Sequence, residues 1–151
     1  MGSGDIRELT TDDEERAAFP VLRQLRDHLT EEQYLAYLDE MRDEGYRLFA
    51  IVEDDVIVAV AGVVIRTNFY NGRHLFVCDL VTDQDHRSEG YGERLMRFVD
   101  EWARDHDCES LTLASGLWRE DAHRFYEDRL DMERYCYTFK KQFAERSLQI
   151  S

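Results

Sequence analysis

His86-Arg-Ser-Glu-Gly-Tyr-Gly-Glu-Arg-Leu95 follows, after three polar residues, the apolar run Leu75–Thr82, LFVCDLVT. Downstream, Tyr91, Leu95, Phe98, Val99 and Trp102 recur at spacings that place them on one stripe of a helix. Gly90 and Gly92 therefore sit where a strand gives way to an amphipathic helix. The first N–H groups of a helix lack internal partners and carry the positive end of its dipole. Glycines there let an anion approach the backbone, and Arg87 adds charge at the same mouth. This chemistry suits a pyrophosphate, although simple turn geometry would also place glycine there. The stretch is neither GxGxxG nor GxxxxGK[ST], so neither a dinucleotide fingerprint nor a P-loop is indicated.

Working outward, Asp5–Thr10 reads as a short first strand. Thr11 with Glu14 is a capping-box pair, opening a helix that should run toward His28, disturbed at Pro20. Thr30 with Gln33 opens a second helix, with Tyr34, Leu35, Tyr37, Leu38 and Met41 on its apolar side and Gly45 as its stop. Tyr46–Glu53 and Val56–Arg66 read as a hairpin around the tight turn Asp54-Asp55. Val56–Ile65 is apolar on both faces, which predicts a central strand covered from both sides. A loop at Phe69–Arg73 leads to a strand at His74–Thr82. After the glycine helix come a strand at Ser110–Ala114, a helix at Asp121–Leu130 with Ala122, Phe125 and Tyr126 inward, and a closing strand at Glu133–Lys140. The alternation of Tyr135, Tyr137 and Phe139 carries that last assignment. The order predicts an α/β (α+β) domain: one mixed, largely antiparallel sheet with helices on both faces. It spans residues 5–141, between a flexible start or cloning remnant at 1–4 and a tail at 142–151.

A chain of 151 residues with 43% hydrophobic content is long enough for one substantial core. The net charge of −14 is diffuse, and all but two of the 19 basic residues are arginines, the exceptions being Lys140 and Lys141. That pattern is either an adaptation to high salt or a field that steers a cationic substrate such as a polyamine. Either way it disfavours a nucleic-acid backbone as partner. No apolar run is long enough to cross a bilayer and no signal peptide opens the chain, which points to a cytoplasmic protein with no membrane partner. Cys78, Cys108 and Cys136 are far apart, with neither a CxxC pair nor metal-ligand spacing, so reduced thiols and no metal site are expected.

RSEGYG resembles the R/Q-x-x-G-x-G/A signature of the GNAT superfamily of acyl-CoA-dependent N-acyltransferases. The likeness extends upstream through CDLVTDQDHR and downstream to AHRFYEDRL at 122–130 and the closing YCYTFKK, covering residues 46–141. It implies the GNAT fold and acetyl-CoA as co-substrate, with its pyrophosphate on the backbone of Arg87, Ser88, Glu89, Gly90, Tyr91 and Gly92. It further implies that the preceding strand splays from its neighbour, so that Leu80, Val81 and Thr82 pair with the pantetheine arm. Tyr126 falls on the tyrosine of the A-x-x-F-Y pattern, which in the family commonly protonates the departing thiolate. Read without the resemblance, Tyr126 is an ordinary core aromatic beside Phe125.

Asp79 is the one charge in the run Leu75–Val81, where a carboxylate needs a partner, water or a cleft. It is a candidate base or amine-binding group, or else a structural partner of an arginine such as Arg66 or Arg73. His74 and His86 are weaker candidates for the same role, since loop histidines are usually just solvated. Three positions depart from the family pattern: Gln84 replaces a common proline, Arg119 an asparagine that often contacts CoA, and Asp131-Met132 a Gly-Phe pair. The expected activity is N-acetyl transfer to a primary amine by direct attack in a ternary complex. The alternative is a non-catalytic CoA-binding sensor or regulatory module on the same fold. The resemblance implies that the acceptor is set by the N-terminal helices and their loops, here around Arg26–Tyr46 and Asn68–Arg73, whose residues leave small amines, polyamines, amino acids and protein amines all open. A homodimer is the default assembly.

Overall fold

The computed structural model describes residues 4–87, 89–115 and 119–143. The elements run β1 (Asp5–Glu8), α1 (Asp12–Leu22), α2 (Glu31–Asp43), β2 (Arg47–Glu53), β3 (Val56–Asn68), β4 (Gly72–Thr82), α3 (Tyr91–Asp105), β5 (Ser110–Leu113) and α4 (Glu120–Leu130). The strands lie side by side in chain order, antiparallel from β1 to β4, with β5 parallel to β4. A parallel neighbour needs a crossover, and α3 supplies it. Both capping boxes form: Thr11 and Glu14, and Thr30 and Gln33, exchange side-chain-to-backbone bonds at the starts of α1 and α2. Asp54 and Asp55 both adopt positive φ, the tight hairpin geometry expected between β2 and β3.

Strand alternation divides the core into two layers. Phe49, Ile51, Ala61, Val63, Leu75 and Val77 face α3, against Leu95, Met96 and Val99. Leu48, Ala50 and Val60 face α1 and α2, against Phe19, Leu22, Tyr34 and Leu38. As its two-sided apolarity predicts, β3 is buried on both faces over Val58–Val64. No helix among the described residues is long and apolar enough to cross a membrane.

Two expectations are corrected. The first helix does not reach His28: α1 ends at Leu22, and residues 23–28 are mainly turns. Pro20 lies inside its last turn, where the missing N–H and the ring weaken the helix. The closing strand Glu133–Lys140 is not formed, and Tyr135, Tyr137 and Phe139 are 60%, 74% and 93% exposed. A strand needs a neighbouring backbone and a layer to cover its apolar side, and this segment has neither. Arg134 turns back onto Glu127 of α4, and the Tyr135 ring stacks on Tyr70 at 6.5 Å.

Candidate active site

The pairing of β4 with β5 covers only His74–Val77 against Ser110–Leu113. Beyond that point β4 continues to Thr82 with β3 on one side and, among the described residues, no strand on the other. The divergence is accompanied by a bulge: Gly62 faces Asp79 and Val63 faces Val77, leaving Cys78 as the extra residue. A bulge reverses the alternation that follows it. Leu75 and Val77 face α3, whereas Val81 is buried beneath α1 and α2, and Leu80 now turns toward the α3 layer.

That reversal decides what surrounds Asp79. Its Oδ1 accepts from Arg26 Nε at 2.9 Å, and its Oδ2 accepts from the buried Tyr46 hydroxyl at 2.9 Å. Arg26 also donates to the Cys78 carbonyl. The tyrosine reaches Asp79 only because residue 62 is glycine: a Cβ there would stand 1.6 Å from the Tyr46 hydroxyl oxygen. Burial, with the Asp79 charge, holds the Tyr46 phenol protonated far above its ordinary range. Asp79 is therefore paired with Arg26, not with Arg66 or Arg73. Arg66 lies over the Phe76 ring, and Arg73 donates to the His106 carbonyl.

The fork between β4 and β5 opens a cavity of ≈ 390 Å³. Its lining includes Gln24, Leu25 and Arg26 from the turn after α1, Cys78 and Leu80 of β4, and Ser115, Arg119 and Tyr126. Asp79 is not among its lining residues. Burial raises the Tyr126 phenol above its usual value, while the charge and hydrogen bond of the Arg119 guanidinium oppose the rise. Burial, reinforced by the Asp79 charge, pushes the Cys78 thiol up to about 11. The Ser115 hydroxyl is buried without a hydrogen-bond partner among the described residues.

At the far end of β4 stands the glycine mouth. Unlike α1 and α2, α3 begins without a side-chain cap. Its N-cap, Gly90, takes φ +84°, a left-handed conformation that glycine adopts without strain, and nothing lies within 4 Å of where its Cβ would be. At Gly92 a Cβ would meet Thr82 Oγ1 at 3.5 Å and Phe125 at 3.9 Å, ordinary contacts. Packing does not require glycine at 92, whereas the open ground above this helix end is the space an anion would fill. Arg87, Glu89 and Gly90 are exposed there, and Ser88 lies outside the described residues. The Tyr91 side chain is buried and its hydroxyl donates to Glu53, so only its backbone serves the mouth.

Gln24 fastens the approach to this mouth. Its amide donates to Asp83 Oδ1 at 2.7 Å and accepts from the Gln84 N–H at 2.8 Å. His86 Nδ1 lies 2.9 Å from Asp83 Oδ2, and His74 is buried in β4 against the Gly72 carbonyl, so neither histidine is simply solvated. Hydrogen bonds from Gln24 and His86 hold Asp83 below the usual carboxylate range, and Asp83 raises His86 above the usual imidazole range. The raised imidazole contributes stability that is full below about pH 6.5 and lost as pH rises through its folded value. The depressed carboxylate contributes stability above about pH 4 that is lost on further acidification. The melting-temperature advantage of the wild type over His86→Asn should therefore peak between about pH 4 and 6.5 and shrink toward pH 8.5. A constant difference across that range contradicts the linkage.

Sequence reasoning missed Gln24, Arg26, Tyr46 and Ser115. Gly62, alone in an apolar run, was the one available signal of a close approach across the strand. Polar residues after α1 look like any solvated helix face, so Gln24 and Arg26 gave none.

The family model described as the acetyltransferase (GNAT) family matches residues 6–132. An uncharacterized N-acetyltransferase, YhdJ of Bacillus subtilis (strain 168), is 38% identical over 137 residues, covering 90% of this chain and 96% of that protein. The crystal structure of a transcriptional regulator from Bacillus halodurans C-125 superposes with a TM-score of 0.78 at 22% identity, covering 93% of this chain and 99% of that one. The aminoglycoside N-acetyltransferase AAC(6')-Iy in complex with CoA gives a TM-score of 0.80 at 17% identity, covering 93% and 95%. With the forked strands, the uncapped glycine helix and the tyrosine on α4 in one fold, the chain belongs to the GNAT acetyltransferase family and is an acyltransferase.

Proposed function

We propose that this protein transfers an acetyl group from acetyl-CoA to a primary amine by direct attack in a ternary complex. The observation that carries the reading is the fork. One strand, β4, runs from a cavity walled by Tyr126 to the uncapped N-terminus of α3. The backbone at Arg87–Gly92 would hold the pyrophosphate, and the free edge formed by Leu80, Val81 and Thr82 would pair with the pantetheine arm. A backbone N–H on that edge would stabilise the charge developing on the thioester oxygen. Tyr126, protonated at neutral pH, would donate to the departing thiolate, and Arg119 would hold the phenolate that remains.

Direct attack is supported by Cys78. With its thiol near 11, it carries almost no thiolate at neutral pH and is a poor site for an acetyl-enzyme. Asp79 serves this reading as the anchor of Arg26 rather than as a base, because both its oxygens are engaged. The setting is taken to be the cytoplasm, and the assembly a homodimer, to be read from sedimentation of the purified protein.

The test is thiol release from acetyl-CoA with a panel of amines, alongside thermal stabilisation by CoA. Saturation at 100 times Kd should add about 2.7 kcal/mol to apparent stability. Gly92→Ala should preserve the melting temperature, since alanine is the better helix former and its Cβ has room. CoA affinity should hold as well, because the R/Q-x-x-G-x-G/A pattern takes alanine at this position, whereas the bulky side chain of Gly92→Leu should weaken CoA binding by about tenfold by covering the anion's approach. Absence of CoA-dependent stabilisation, or unchanged affinity in Gly92→Leu, contradicts the proposal.

A further inference from the structure

The cavity differs in sign from the protein that surrounds it. The chain carries a net charge of −14, yet the described residues lining the cavity include two arginines and no carboxylate. Asp79 neutralises part of Arg26 from behind, while the Arg26 side chain stays 40% exposed. Arg119 lines the same cavity, beside Tyr126. The thiol of Cys78 is neutral, and Ser115 holds a buried hydroxyl with no partner among the described residues.

These groups do not belong to the pyrophosphate seat. Arg26 is bonded at Cys78, four residues before Thr82, which at about 3.3 Å per residue is roughly 13 Å from the glycine mouth end of β4. They surround the end of the fork where the thioester and the incoming amine would meet. Two guanidinium groups there repel an ammonium ion and favour the neutral amine, the form that attacks. They also present planar donors suited to a carboxylate or phosphate.

Resting on the acetyltransferase reading, the geometry points to an acceptor that is a primary amine bearing an anionic group, carboxylate or phosphate, held by Arg26 with Arg119. The diffuse acidic surface does not oppose this. Beyond about 10 Å exposed charge is screened at 0.1 M salt, whereas the guanidinium contact is direct.

The experiment compares matched acceptors: 4-aminobutyrate against 4-aminobutanol, phosphoethanolamine against ethanolamine, and putrescine as a dication. Each is measured for acetyl transfer and, by calorimetry, for binding to the CoA-saturated protein. At least one anionic acceptor should exceed its neutral partner about tenfold in kcat/KM, the least that one charge-assisted hydrogen bond contributes. The two pairs separate carboxylate from phosphate. In Arg26→Gln that ratio should fall below about threefold, and Arg26→Lys, which keeps the ion pair with Asp79, should recover part of it. The ratio within one variant is the readout, so a general loss of activity or stability cannot imitate the result. Transfer with equal or greater efficiency to the alcohols or putrescine overturns the inference and leaves the acetyltransferase reading standing. Anion-selective binding without transfer to any amine supports the site and removes that reading. Neither binding nor transfer of any anionic amine overturns the inference.

Discussion

Tyr126→Phe is expected to lower kcat by about a hundredfold while CoA affinity holds, since a positioned general acid contributes about 10² to 10⁴. The substitution keeps the ring that packs beside Phe125 and removes only the hydroxyl at the cavity wall. The hydroxyl is suited to the task because burial keeps it protonated. That burial also makes it a reluctant donor, and Arg119 offsets the reluctance by stabilising the phenolate. Equal loss in kcat and kcat/KM would mark an interaction made only in the transition state. The pH profile gives a second readout: the fall in kcat at high pH, where Tyr126 ionises, should vanish in the variant. If kcat stays within threefold of wild type, the thiolate leaves without this acid. A CoA-binding module without catalysis would instead show no turnover to lose.

The parts of this fold that local chemistry dictates are the parts the sequence reveals. Thr11 with Glu14 and Thr30 with Gln33 satisfy backbone groups within four residues, so their pattern is complete in one short window. Two-sided apolarity placed Val58–Val64 centrally, and the glycines marked a helix mouth that no side chain caps. The bulge at Cys78 is another matter. It depends on pairing with Gly62 on a different strand, and it alone turns Asp79 toward Tyr46 and Arg26. Tyr135, Tyr137 and Phe139 show the opposite failure: alternation is necessary for a strand, but it does not say whether a neighbour and a covering layer are present. Half of the candidate site, the glycine mouth and Tyr126, was therefore legible. The other half, Gln24 and Arg26, depended on where α1 stops.

Where α1 stops is held in turn by its union with α2, and Arg42→Ala should expose how much stability that union carries. Glu15 of α1 has a side chain only 5% exposed, ion-paired to Arg42 of α2. Arg42 also donates to the Leu9 carbonyl at 2.6 Å, and the Tyr34 hydroxyl donates to the Glu15 carbonyl at 2.7 Å. Removing the arginine leaves a buried carboxylate without its cation, which costs about 3 to 5 kcal/mol. The lower end applies, because Arg42 is itself 24% exposed and water can enter the gap. With an m-value of roughly 2 kcal/mol/M, the urea midpoint should fall by about 1.5 M. The Glu15→Met, Arg42→Met double variant should regain most of that loss, since apolar replacement of a buried pair is often neutral. A single-variant loss below about 1 kcal/mol would mean the pair is solvated and α2 is held by packing alone. If the pair does hold α2 against α1, the turn between them keeps Arg26 on Asp79. Loosening it should then degrade acceptor use and CoA binding together, because the same turn carries Gln24, which fastens the approach to the glycine mouth through Asp83 and Gln84.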